Sequence, residues 1–202
     1  MRVVIVSRTR MRGDRVCVGA HDLADFKSLR LYRHDGTYLT ASNDVSVGQI
    51  WELTYHPKSD VVPPHVEDVI VERDGASWVG REQDLAALIR QRDTIWQTPA
   101  QLFEGRLRFT GAGSAYVPAE GPLPSRSTGY WLLDTPLTRQ EYDGKTRYVR
   151  DAASGLRRIS YVGTAATRAS IAAGTLTRLS LSRRFAPTAA HDGYWLQLSG
   201  WY

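Results

Sequence analysis

Short runs of β-branched and aromatic residues, separated by Gly, Asp and Pro, make up most of the chain. Such runs predict β-strands. Before residue 81 they lie at 2–7, 16–20, 28–32, 49–55, 66–72 and 77–79. Beyond residue 129 they lie at 130–134, 139–142, 145–150, 156–162, 176–182 and 194–199. The pattern therefore predicts a mostly β protein made of two small β-barrels, with hairpin turns at Asp74-Gly75 and Asp143-Gly144.

Two segments depart from the strand pattern. Residues 81–104 place Leu85, Leu88 and Ile89 at helical spacing, which predicts an α-helical connector that ends at Thr98-Pro99. Residues 111–129 hold four Gly, three Pro and three Ser, a composition typical of an exposed, mobile loop. The predicted domains are therefore a first barrel over 1–80, the connector over 81–104, and a second barrel over 105–202 that includes this loop.

The charge of the chain favours a polyanionic partner. The net charge is +5, and residues 105–202 carry 13 basic against 6 acidic groups. Only three of the 26 basic residues are lysines. The planar fork of arginine binds phosphate in a bidentate way and stacks on bases, so an arginine-rich surface suits nucleic acid.

Other function classes find little support in the sequence. The longest apolar runs are tetrads, against about 20 residues needed to cross a bilayer. The chain shows no signal-peptide pattern and a single cysteine, Cys17. We therefore expect a cytoplasmic protein without a membrane partner. Because phosphate-binding and dinucleotide motifs are missing, we expect no cofactor.

Several strings together resemble a bacterial family of dual OB-domain proteins. They are RVVIVSRTRM, CVGA, SLRLY, VGQIWEL, PPHVEDV and the closing YWLQLSGWY. The resemblance implies that both barrels are of the OB type. It also implies a nucleic-acid-binding or sensing accessory module, found in bacterial defence systems beside a partner protein such as a helicase, nuclease or other ATPase. It supplies no catalytic residue, so we expect a protein that is not an enzyme.

An OB barrel binds single strands by joining a positive groove to aromatic side chains on which bases stack. Arg8, Arg10 and Arg12 follow the first predicted strand, and their spacing of two places them on one side of an extended segment. In the second barrel the predicted nucleic-acid-binding residues are Arg147, Arg150, Arg158, Arg178 and Tyr148. The Leu- or Ile-flanked tryptophans Trp51, Trp131 and Trp195 are assigned to the core.

Two alternatives remain open at this level. His65, Glu67 and Asp68 in PPHVEDV suit either a metal-dependent nuclease or a structural role in which the carboxylates pair with the N-terminal arginines. No metal site is predicted, because nothing fixes further ligands near His65. Alternatively, Trp201 and Tyr202 could anchor a partner protein, which would make the chain an interaction adaptor that does not contact nucleic acid.

Overall fold

The computed structural model describes residues 1–202 and confirms a mostly β protein. The chain forms two compact units, unit 1 over Met1–Asp93 and unit 2 over Thr94–Tyr202. None of its helices combines the length and the apolar character that a membrane crossing requires.

Unit 1 contains eight strands and one helix. The strands are β1 (Arg2–Arg10), β2 (Arg15–Asp22), β3 (Ser28–Tyr32), β4 (Leu39–Thr40), β5 (Gln49–Glu52), β6 (Tyr55–Pro57), β7 (Asp68–Val71) and β8 (Ser77–Arg81). The helix is α1 (Leu85–Arg92). Its first turn is capped by Asp84, whose side chain accepts a hydrogen bond from the Ala87 backbone N–H.

The sheet of unit 1 has the strand order β6-β7-β3-β2-β1-β5-β8, and β4 also pairs with β2. Only β3 and β7 run parallel. Because two residues separate β5 from β6, one stretch of chain pairs with β1 through β5 and with β7 through β6. Alternate apolar residues of these strands, such as Val3, Val18 and Leu31, form the core of the unit.

Unit 2 contains ten strands. They are β9 (Ile95–Trp96), β10 (Arg108–Phe109), β11 (Ala115–Pro118), β12 (Thr128–Leu132), β13 (Leu137–Tyr142), β14 (Lys145–Arg150), β15 (Arg158–Tyr161), β16 (Ser170–Ile171), β17 (Leu176–Leu181) and β18 (Gly193–Trp201). A 3₁₀ segment over Pro99–Gly105, kinked at Leu102, follows β9. The core contains Trp131, as predicted, together with Tyr148, Ile159 and Leu198.

The pairing pattern of unit 1 recurs in unit 2. Its sheet has the order β16-β13-β14-β15-β18-β17-β12-β9, and β11 pairs with β18. The hairpin strands β13 and β14 and the following β15 take the places of β1, β2 and β3, and the parallel partner is β18. β16 pairs with β13 as β5 pairs with β1, and β17 pairs with β18 as β6 pairs with β7. The likeness of the units lies in element order, and their closure into two complete barrels stays a prediction.

The predicted connector over 81–104 is not one helical element. Its helix has only eight residues and belongs to unit 1, whereas β9 and the 3₁₀ segment belong to unit 2. Burial of Trp96 explains the change to extended backbone, because this ring lies directly over Gly129 of β12. A Cβ at Gly129 would come within 2.2 Å of Trp96 Cη2.

The predicted exposed loop over 111–129 contains strand β11. Ala115 and Val117 are each only 1% exposed and pack in the core of unit 2, because their alternation turns both side chains inward. The glycines of this segment serve its turns instead. Gly113 has φ +80° and lies so close to Arg157 that a Cβ would come within 2.5 Å of Arg157 Cβ.

Candidate functional site

The outward side of β3 and β7 in unit 1 holds a buried and internally neutralised ion pair. Directly paired residues share a face of a sheet, so Arg30 lies beside Asp68 on the side opposite Leu31 and Val69. Arg30 Nη1 donates to Asp68 Oδ1 at 2.7 Å, and the Tyr32 hydroxyl donates to Asp68 Oδ2 at 3.1 Å. Because Arg30 and Asp68 are 8% and 3% exposed, this pair is closed to a large ligand.

The PPHVEDV motif therefore has a structural position. His65, Glu67 and Asp68 are all buried, and His65 Nδ1 lies 3.2 Å from both terminal nitrogens of Arg30. Asp68 forms an ion pair with Arg30 of β3, which is not one of the N-terminal arginines expected as partners. No group of three or more His, Cys, Asp or Glu residues in the chain is arranged to hold a metal ion.

The three N-terminal arginines do not form one exposed row after the first strand. β1 continues to Arg10, so only Arg12 lies in the turn. The register shifts between Ile5 and Ser7, which places Arg8 opposite the core residue Val18. Arg8 Nη2 donates to the backbone carbonyl of Ala41. Arg8 thus holds a loop of its own unit.

The corresponding face of unit 2 is open to solvent and basic. We call it the outer face. It consists of Tyr116 on β11, Thr138, Gln140 and Tyr142 on β13, Lys145, Arg147 and Val149 on β14, Arg158 and Ser160 on β15, and Trp195 and Gln197 on β18. All of these side chains are half-buried or exposed, and none is acidic.

The cations of the outer face are not neutralised by neighbouring carboxylates. Arg158 makes no ion pair, and the guanidinium of Arg147 lies over the ring of Tyr142 at 4.8 Å. The nearest acid of β13, Glu141, points to the opposite side of the strand, where its Oε1 lies 3.6 Å from Arg139 Nε. The positive charge of this face is therefore available to a ligand.

Aromatic rings stand at two ends of the outer face. Tyr116 and Trp195 are stacked, with ring centroids 5.0 Å apart and planes 23° apart. Tyr142 is 60% exposed at the hairpin on the other side. Assigning Trp195 to the core was wrong: its neighbours Tyr194 and Leu196 point inward, and strand alternation turns Trp195 outward.

The sequence of the chain is similar to a known protein family. The model of the family described as "Dual OB-containing domain" matches residues 1–201. The chain belongs to this family. In an OB domain the second and third strands form the face that binds oligonucleotides and oligosaccharides. In unit 2, the second OB unit, β13, β14 and β15 take the places of the first three strands. The corresponding strands are therefore β14 and β15, which carry Lys145, Arg147 and Arg158.

Other known proteins give no information about the function of the chain. No curated protein matches the chain. A solved structure described as "Crystal structure of p204 HINb domain" is similar at 15% identity and a TM-score of 0.38, covering 98% of this chain and 95% of that one. A likeness of this size supports no conclusion about either the fold or the ligand.

Three of the predicted binding residues of the second OB unit do not lie on the outer face. Tyr148 is fully buried, and its hydroxyl donates to the backbone carbonyl of Arg168 at 2.9 Å. Arg178 is 4% exposed and donates to Ser199 Oγ at 3.2 Å. Arg150 Nη2 donates to Asp134 Oδ2 at 2.6 Å. Tyr148 and Arg178 are thus corrected to structural positions. Arg150 pairs with Asp134 off the outer face, and Arg147 and Arg158 stay as candidates on it.

The C-terminal aromatic residues also pack within this OB unit. Trp201 stacks on Tyr161 with a centroid distance of 5.0 Å and lies against the core. Tyr202 lies 6.1 Å from the ring of Tyr130, and burial raises the pKa of its hydroxyl well above the usual value. The pair therefore does not form a protruding anchor for a partner protein.

Proposed function

We propose that the protein is a non-catalytic nucleic-acid-binding module whose second OB unit holds a strand on its outer face. The observation that carries the proposal is the contrast between equivalent faces. In unit 1 the face holds the buried pair of Arg30 and Asp68, whereas in unit 2 it is basic, free of acidic residues and half-buried to exposed. The family resemblance implies that the protein is an accessory subunit of an enzyme in a bacterial defence system, and this stays a prediction.

The outer face suits a single strand or a structured nucleic acid. Lys145, Arg147 and Arg158 supply contacts for successive phosphates, and the stacked Tyr116–Trp195 pair and Tyr142 supply ring faces for bases. Gln140, Ser160 and Gln197 offer uncharged hydrogen-bonding groups between them. The surface thus has the parts that sequence-tolerant strand binding requires.

The direct test is the salt dependence of oligonucleotide binding by the intact protein. Three phosphate contacts to a single strand predict a slope of log K against log salt of about −2, because each contact releases counterions. Fluorescence anisotropy between 50 and 200 mM salt should then show an affinity loss of roughly 20-fold. Undetectable binding at low salt would overturn the proposal.

A matched pair of variants assigns the binding to the outer face. Arg147→Ala removes a cation from this face and should weaken binding about fivefold while reducing the salt slope by about 0.7. Arg139→Ala removes the same charge from the opposite side of the adjacent strand, where Arg139 pairs with Glu141. We expect Arg139→Ala to bind like the parent protein. Equal losses in both variants would show that only net charge matters.

Edge strand β8 supports the adaptor function as a second candidate. It pairs only with β5, and its Trp78 and Val79 are 59% and 47% exposed. A free edge with exposed apolar side chains can receive a strand from a partner protein. Substituting Val79→Lys should abolish such an association without changing oligonucleotide binding. Retention of a partner complex by that variant would exclude β8 as the docking edge.

A further inference from the structure

A groove of about 410 Å³ lies at one end of the outer face. Thr138 and Gln140 of β13 form one wall, and the segment that joins β14 to β15 forms another. Three arginines line it, namely Arg150, Arg157 and Arg158, against one acid, Asp151. Its volume falls within the range of pockets that hold small molecules, and is larger than a single phosphate needs.

Two of the three arginines are fixed in place by the fold. Arg157 Nη2 donates to the carbonyl of Gly111, and the backbone N–H groups of Arg157 and Arg158 donate to the carbonyl of Gly113 at 2.9 and 3.1 Å. Arg150 is held by Asp134. Arg158 has no acidic partner. Guanidinium groups oriented in this way lose little conformational entropy when an anion binds.

The arginines also have unused donors. The Nε–H groups of Arg150, Arg157 and Arg158 are covered from solvent and lack a hydrogen-bond partner. Arg8 and Arg147, which do not line the groove, share this feature, so it does not by itself mark a ligand site. The indication of a site for an anion of more than one charge is the gathering of three guanidinium groups in one groove.

We infer that this groove binds the phosphorylated end of a nucleic-acid strand, an inference that rests on the proposed function. A phosphodiester inside a strand carries one charge, whereas a terminal phosphomonoester carries close to two at neutral pH. The turn at Gly111–Gly113 and the β14–β15 connection bound the groove where the open face ends. A strand lying on Arg147 and Arg158 would therefore reach the groove with a terminal nucleotide.

The test compares three fluorescently labelled single strands of one sequence with the intact protein. One carries a 5′-phosphate, one a 3′-phosphate, and one hydroxyl groups at both ends. We expect one phosphorylated strand to bind about tenfold more tightly than the hydroxyl strand, as one additional charge-assisted contact would give. The preferred end shows which terminus enters the groove.

Two further measurements separate the groove from the face. Arg157→Gln should bring the ratio of the two affinities close to one, with Arg139→Ala as the charge-matched control; Arg150→Gln repeats the test should Arg157→Gln fail to fold. In the parent protein the ratio should fall between pH 7.5 and 5.5, because the second pKa of the phosphomonoester is about 6. Equal binding of all three strands would overturn this inference and leave the proposed function intact. Binding of none would overturn the proposed function itself.

Discussion

Neighbouring residues of β14 have opposite environments, and this alternation determines which of them a ligand can reach. Arg147 and Val149 point to the outer face, whereas Tyr148 points into the core of unit 2. Arg150 shares the side of Tyr148 but lies at the strand end, where Asp134 pairs with it. The period of two was visible in the sequence and would have separated Arg147 from Tyr148. Which side was buried could not be known without the strand partners.

The buried pair of Arg30 and Asp68 leads to a stability prediction. Asp68→Ala leaves the Arg30 guanidinium buried without its carboxylate and should lower the free energy of unfolding by about 3–5 kcal/mol. Urea unfolding measures the effect. The control is Asp60→Ala, which breaks an exposed pair with Lys58 and should cost less than about 1 kcal/mol. Similar losses in the two variants would contradict the structural role of the PPHVEDV motif.

A double variant separates lost charge pairing from lost packing. Arg30→Met together with Asp68→Leu removes both charges and keeps apolar volume, so it should recover most of the stability that Asp68→Ala loses. Failure to recover would mean that the hydrogen bonds of Tyr32 and His65 to this pair, rather than its charges, stabilise the unit.

At the scale of elements, most of the longer strands were predictable, whereas the two-residue strands and the pairing of all strands were not. Runs such as RVVIVS and SLRLY predict strands because β-branched and aromatic side chains suit a pleated, half-buried surface. β9 and β11 were missed for two reasons. The helical spacing of 81–97 hid the extended Ile95–Trp96 pair, and turn-forming glycines masked the alternation of Ala115 and Val117. Both segments are extended because they pair with strands distant in sequence, β9 with β12 and β11 with β18.

A single added methyl group on β12 tests how closely Trp96 of β9 packs against that strand. Gly129→Ala places a methyl group against the buried ring of Trp96 and should destabilise unit 2 by about 1–3 kcal/mol, because a filled core must shift to admit it. Thermal unfolding followed by tryptophan fluorescence reports the change. Gly200→Ala in β18 is the matched control, since nothing lies within 4 Å of the added atom. A neutral Gly129→Ala would disprove the close contact.

At the scale of the whole molecule, the net positive charge lies in unit 2. Unit 1 holds 13 basic and 14 acidic residues, whereas unit 2 holds 13 basic and 7 acidic residues. The sequence indicated this division, because residues 105–202 were already the basic segment. It could not show that Arg30 and Arg178 are buried, since arginine is seldom found in such positions.

Two triple variants compare how much the basic residues of each unit contribute to oligonucleotide affinity. Lys145→Ala, Arg147→Ala and Arg158→Ala together should weaken oligonucleotide binding about 100-fold at low salt, since they remove all three phosphate contacts of the outer face. Arg8→Ala, Arg10→Ala and Arg12→Ala together test the N-terminal candidates, and we expect the smaller loss from them. Circular dichroism verifies that both proteins fold. The reverse ranking would move the interface to unit 1.

The irregularity at Val6 has an evolutionary consequence. One extra residue in β1 reverses the side on which every later side chain of that strand emerges, so Arg8 faces Val18 rather than Cys17. Deletion of Val6 would remove the extra residue and leave Ser7, Arg8 and Arg10 opposite Gly19, Val18 and Val16, where they already lie. A lineage that lost this codon would therefore keep the orientation of both arginines, and β1 tolerates a change of length at this one position.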